Sequence, residues 1–183
     1  MSTSATYNID GTTFYCHWDN YPAGAAERFI AMVDAMTQPG TDGSHRVTED
    51  RRGGAAFAFI RGNLDAGPGQ DTGVEFAYTL TTGPGNKITV TMLDVYANKS
   101  TTLPLDEFIR THANPERVDD AQLVLSITKR DDYGPERTVY ATRAVASRVA
   151  AAYAVRMQRF PETNPNHQIS HKRMTEWAAA VHG

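Results

Sequence analysis

The chain has 183 residues, a formal net charge of −3, 40% hydrophobic residues and 21% charged residues. Those proportions belong to a globular protein and exclude wholesale disorder or a collagen-like repeat. A chain of this length buries a sizeable core without disulfide staples, so one domain over residues 1–183 is expected, divisible at most into a body (1–139) and a basic helical tail (140–183).

The first predicted element is a β-hairpin. Asp10-Gly11 is a two-residue turn signal, because both positions accept positive φ, and it separates Ala5–Ile9 from Thr12–Trp18. In the second strand Phe14, Cys16 and Trp18 share a face that reads as buried, with Thr13, Tyr15 and His17 opposite. Pro22 then opens a helix in which Ala26, Phe29, Ile30, Val33 and Met36 recur at helical spacing, and Pro39-Gly40 ends it. Residues 39–53 are polar and glycine-rich and read as a loop. Ala55–Leu64 reads as a short helix, since alanines outnumber β-branched residues, and 65–73 as another loop.

The clearest β signal is central. Val74–Thr81 and Lys87–Val95 alternate around Gly83-Pro84-Gly85-Asn86, which predicts a second hairpin. Leu105–His112 is a short helix with Asp106 and Glu107 in its first turn, where carboxylates favour the helix dipole. Ala121–Thr128 is a further strand and 131–135 a loop. Thr142–Phe160 is an alanine-rich helix with Val145, Val149, Ala152, Tyr153 and Phe160 as its apolar stripe. Pro161 stops it, and Ser170–Val181 forms a last helix capped by Ser170. The expected fold is α+β: a mainly antiparallel sheet of about five strands covered by helices, with a helical C-terminal third.

Few residues form a chemical constellation. His17 and Asp19 flank Trp18 and offer a His–carboxylate pair for general-base work. The competing reading has Trp18 anchoring the core while His17 and Asp19 satisfy the turn. His167 and His171 are four apart, but Pro165 and Asn166 keep His167 off the helix, and Lys172 and Arg173 repel a cation, so no metal is expected. Cys16 alternates with Phe14 and Trp18 and reads as a buried, inert thiol. The glycine-rich segments lack the Gly-Lys-Ser/Thr ending of a phosphate loop, and Asp119-Asp120 and Asp131-Asp132 lack an alternating Asp-x-Asp pattern. No cofactor is expected.

Charge is unevenly laid out. Residues 140–183 hold six Arg and Lys against two acidic residues, a surplus of +4 that leaves −7 for residues 1–139. Arg148 and Arg159 project on nearly the same helical side, with Arg156 close by. Such a face meets an acidic partner or phosphates, or it pairs with the acidic part of its own chain. Cys16 is the single cysteine, Met1–Thr6 has neither a basic nor an apolar leader region, and no stretch reaches the roughly 18 apolar residues of a membrane helix. A cytoplasmic protein with no membrane partner is expected.

The run Tyr15-Cys16-His17-Trp18-Asp19-Asn20-Tyr21-Pro22 resembles the His-Trp-Asp-Gly-Tyr-Pro segment of small uncharacterised proteins carried by phages, prophages and other mobile elements. The likeness covers residues 12–37, with a strand running in and a helix following. Asn20 stands where that family has Gly, and both tolerate a left-handed turn. The resemblance implies a mobile-element origin and supplies no activity. The leading expectation is a non-enzymatic binding factor whose partner is a host protein or ribonucleoprotein, in the manner of anti-CRISPR proteins that occlude a defence complex. Its contact residues are expected to be Arg148, Arg156, Arg159, Tyr21 and Trp177, because exposed aromatics and arginines dominate interface energetics. The alternatives are a small hydrolase or nucleotide-modifying enzyme using His17 and Asp19, and a nucleic-acid binder using the basic helix.

Overall fold

The computed structural model describes residues 3–39, 45–47, 54–69, 72–129 and 136–159. The Asp10-Gly11 turn closes β1 (Ala5–Ile9) onto β2 (Thr12–Cys16), with φ of 47° and 89° at the two turn residues. The Asp10 carboxylate accepts hydrogen bonds from the Thr82 backbone N–H and hydroxyl, both at 2.8 Å, which fastens the hairpin tip to a distant strand. The next element, α1 (Pro22–Met36), buries Ala26, Phe29, Ile30 and Val33 of the stripe its spacing predicts, with Ala25 and Met32 beside them, while Met36 is only partly buried. It ends at Met36, before Pro39, because Thr37–Pro39 is taken up as β3 and pairs with β4 (His45–Val47). The remainder of the loop expected over 39–53 lies outside the described residues.

The predicted short helix is present as α2 (Gly54–Gly62). Within the loop expected at 65–73, Gly67–Pro68 forms the two-residue β5. The second hairpin joins β6 (Phe76–Thr82) to β7 (Ile88–Asp94) through a 3-10 turn at Pro84–Asn86. Beyond it lies a strand that residue pattern does not announce, β8 (Lys99–Pro104), followed at once by α3 (Leu105–His112). Asp119 caps a 3-10 turn at Asp120–Gln122, so the next strand, β9 (Val124–Lys129), starts later than Ala121. It pairs with the unanticipated β10 (Arg137–Thr142). Then α4 (Arg143–Arg159) begins, its first turn received by the Thr142 hydroxyl, which accepts from Val145 N–H at 3.4 Å. The helix expected over Ser170–Val181 lies outside the described residues.

The main sheet has six strands in the order β5-β2-β1-β6-β7-β8, every pair antiparallel except β1 with β6. The fold is thus α+β with a mainly antiparallel sheet. One face carries Ala5, Tyr7, Ile9, Phe14, Cys16, Tyr78, Leu80, Ile88 and Val90, all buried, and the helices cover it. At its centre Tyr7 and Tyr78 stack at 5.0 Å, with the Phe29 ring meeting both edge-on. The opposite face is uncharged. In register across five strands it presents Thr13, Asn8, Thr79, Thr91 and Thr102. A smaller cluster of Ile127, Ala141, Val145 and Ala146 joins the β9–β10 hairpin to α4. Tyr140 ties that unit to the sheet, its hydroxyl accepting from Ile88 N–H at 2.7 Å. Among the described residues no helix is long and apolar enough to cross a membrane.

The sequence expectation fails at Trp18. Period-two alternation places it with Phe14 and Cys16, yet it is 62% exposed. The strand stops at Cys16, so the alternation no longer applies two residues later.

Packing of α1 on α2 depends on Gly62, where a Cβ would fall on the Ala31 carbonyl oxygen. Gly62→Ala is expected to lower the unfolding free energy by about 1–3 kcal/mol. Gly54→Ala, with nothing among the described residues within 4 Å of its Cβ position, is expected to leave it unchanged or slightly higher. Urea denaturation of both variants checks the contrast.

Candidate functional site

After Cys16 the chain leaves the sheet in a short segment that ends in α1. Asp19 adopts φ of 54°, which reverses the direction of the backbone. The turn position is therefore Asp19 and not Asn20, which corrects the expectation that Asn20 stands in for a left-handed glycine. Gly24 is needed for the same geometry, since a Cβ there would fall on the Asp19 carbonyl oxygen. The reversal sends Asn20 inward and Trp18 and Tyr21 outward.

Asn20 is completely buried. Its Oδ1 accepts from the Tyr7 hydroxyl at 2.7 Å and from Arg28 Nε at 3.0 Å. Its Nδ2 donates to the backbone carbonyls of Thr3, Cys16 and Trp18 at 2.9, 3.0 and 2.9 Å. Its own carbonyl accepts from the Tyr78 hydroxyl at 2.9 Å. Only a neutral amide meets donors at one end and carbonyls at the other. Burial raises both the Tyr7 and Tyr78 pKa values, so both phenols remain donors.

Arg28 continues the network from α1. Its guanidinium forms a fork with Asp65, at 2.8 and 2.6 Å, and donates to the Trp18 carbonyl at 3.2 Å. Burial is the largest single influence and works against the Arg28 charge, but the hydrogen bond to Asp65 and the attraction of Cys16, Tyr7 and Asp65 together outweigh it, and the net shift is upward. The pair is lopsided: the Arg28 side chain is 12% exposed and that of Asp65 57%. Arg117, in the loop after α3, binds Asp19 at 2.6 Å and Glu27 at 2.9 Å. The segment is thereby tied to α1 and to the loop after α3.

The outward residues share one end of the sheet, where β2 and β7 finish and β1, β6 and β8 begin. The His17 ring meets Trp18 edge-on at 4.5 Å, and its Nδ1 lies 2.9 Å from the Tyr15 hydroxyl. Glu75 accepts from Ser4 N–H at 2.6 Å and Ser4 Oγ at 2.8 Å, which holds its carboxyl below the ordinary value. Tyr21, 45% exposed, packs against Phe76 at 6.0 Å. Val95 N–H donates to the Glu75 carbonyl at 2.9 Å, which places the exposed Val95-Tyr96 turn at the same end. Leu64, also exposed, enters from the other side, because β5 runs antiparallel to β2 there. The result is an aromatic and aliphatic rim on a rigid base.

The residues expected to act distribute unevenly. Tyr21 lies on this rim. Trp18 was assigned to the core, and the Asp19-Asn20 turn signal after Cys16 is what would have moved it outward. The expected His17–Asp19 pairing finds other partners: Asp19 serves Arg117 and His17 meets Tyr15. Arg148 is exposed on α4. Burial raises the Asp34 carboxyl on α1, against the hydrogen bond from Thr142 and the charge of Arg148. Arg143 pairs with Asp120 at 2.7 Å, which ties the start of α4 to the acidic part of its own chain. The side chains of Arg156 and Arg159, and all of Trp177, lie outside the described residues, as do His167 and His171. Cys16 is buried, and its thiol is pushed up to about 11 by that burial, which keeps it protonated and inert at neutral pH. Among the described residues no group of three or more His, Cys, Asp or Glu side chains is placed to hold a metal ion. Comparison of the chain with protein-family models, with curated proteins and with solved structures finds no match.

Two outcomes are expected from this geometry. Asn20→Ala leaves the Tyr7 hydroxyl, Arg28 Nε and three carbonyls without their partner, and is expected to cost about 2–4 kcal/mol in chemical denaturation. Asp65 has its carboxyl held below the ordinary value, chiefly by the hydrogen bond from Arg28. A carboxyl depressed in the folded state contributes stability above its unfolded pKa, and that contribution disappears as pH falls through the folded value. The stability gap between wild type and Asp65→Asn should therefore close on acidification below the ordinary aspartate range. Stability curves that stay parallel down to strong acid would contradict this.

Proposed function

We propose that the protein is a non-enzymatic binding factor of a phage or other mobile element and that the rim around Trp18 and Tyr21 is its contact surface. The observation that carries this reading is the pairing of an exposed indole with a fully bonded base. Trp18 is 62% exposed, while its own carbonyl is fixed by both Asn20 and Arg28. A large aromatic held in place before binding loses little conformational freedom on association, the property of interface hot spots. The neighbouring Tyr21, Leu64 and Tyr96 extend the same apolar end, and charged residues border it, as in the core and rim of a protein interface. The mobile-element resemblance of residues 12–37 supports a host protein as partner and an inhibitor of a defence complex, comparable to anti-CRISPR proteins, as the biological role.

The alternative enzyme reading rests on the 2.9 Å contact between the Tyr15 hydroxyl and His17 Nδ1. A double variant His17→Ala, Asp19→Ala separates the two: under the binding reading it changes association, with no chemical turnover to lose. The decisive experiment is affinity purification from a bacterial host, with and without defence systems expressed, using wild type beside Trp18→Ala, Tyr21→Ala. The double variant should keep the wild-type thermal transition, since both side chains are exposed, and should lose the stoichiometric partner. Equal recovery by wild type and variant would remove the rim from the proposal.

A further inference from the structure

The chemistry of the rim also narrows what docks there. Its fixed charges are unequal. Asp19, Glu27, Asp65 and Glu75 face two guanidinium groups, those of Arg28 and Arg117. Asp94 and Lys99 stand opposite each other in the β7–β8 register and cancel. Among the described residues the surplus is therefore negative. Exposure sharpens it, because the Arg28 guanidinium is turned inward beneath Asp65, and what an approaching surface meets is the carboxylate. Aromatic rings add to the same sign. Trp18, Tyr21 and the 79%-exposed Tyr96 are the exposed aromatics here, and an aromatic face attracts a cation. Residues 1–139, which supply the whole rim, carry −7 and extend the field beyond contact distance.

We infer that the partner seated on this rim is a protein surface presenting arginine or lysine side chains, which stack on Trp18 and Tyr96 while their charges meet Asp65, Asp19 and Glu75. This rests on the rim being a binding surface and goes further in naming its occupant. Guanidinium groups satisfy both halves of the arrangement, being flat enough to stack and forked enough to engage a carboxylate. A phosphate-bearing polymer meets repulsion at each of these carboxylates.

The test uses the full chain and a short end-blocked peptide alternating glycine and arginine, with the matching glycine–glutamate peptide and a single-stranded oligonucleotide as the other arms. Binding is followed by amide chemical shifts. The arginine peptide should shift the resonances of residues 17–21, 64–65 and 95–96, and its affinity should fall about fivefold from low to physiological salt. Trp18→Ala and Glu75→Gln should each weaken it by about threefold or more. Asp65→Asn should do the same, and Glu75→Gln carries the test alone if loss of the Arg28 pair unfolds that variant. Preference for the glutamate peptide or the oligonucleotide, or affinity unmoved by both Trp18→Ala and Glu75→Gln, would overturn the inference. A host partner lost on Trp18→Ala but indifferent to salt and to Glu75→Gln would leave the binding function standing and remove only its basic occupant.

Discussion

One buried amide holds this structure in register. Asn20 is neither in the sheet nor in a helix, yet it bonds β1 through Tyr7, the end of β2 through the Cys16 carbonyl, α1 through Arg28 and β6 through Tyr78. Each of those groups is polar and lies against the aromatic core, where an unpaired donor or acceptor costs more than a bond contributes. Asp at this position would face three carbonyls with an oxygen, and Leu would leave every partner of the side chain stranded. The amide therefore does what no apolar side chain does: it fixes one orientation of the strand–helix connection and penalises the others.

What sits above that amide follows from its demands. To turn Asn20 inward the chain must reverse at Asp19, and the reversal drives Trp18 and Tyr21 into solvent. Gly24 is the space that the reversal requires. Arg28 is drawn down towards the amide and brings Asp65 with it, leaving the carboxylate uppermost. The polarity of the rim is thus set from beneath, by a residue that is itself invisible from the surface.

Local signals in the sequence recovered the elements whose own residues dictate them. The Asp10-Gly11 hairpin, the stripe of α1, the alternation of β6 and β7 and the acidic first turn of α3 are each legible within one segment. The missed strands lack that property. In β8, Lys-Ser-Thr-Thr-Leu-Pro has a single large apolar residue, because the strand is an edge and buries little. In β10, Arg-Thr-Val-Tyr-Ala-Thr runs straight into the alanines of α4, with Thr142 closing one element and receiving the next. The parallel pairing of β1 with β6 has no local signature at all. The candidate site was half legible: the segment was singled out, and Tyr21 with it, but alternation carried past the strand end hid Trp18 in the core. The partners of that segment, Arg28, Asp65 and Arg117, come from three other elements and needed the fold to be seen.

The parallel pairing has a kinetic meaning. Strand β1 meets β2 across a two-residue turn, but its other neighbour, β6, arrives only after α1, the β3–β4 pair, α2 and β5 have been traversed. Closing that gap carries a loop entropy that the short-range β1–β2 hairpin avoids, so the join between the two halves of the sheet is the costlier pairing to close. The rim straddles this join. Trp18 and Tyr21 lie on one side, Phe76, Val95 and Tyr96 on the other. A chain emerging from the ribosome therefore has no complete rim until both halves have met.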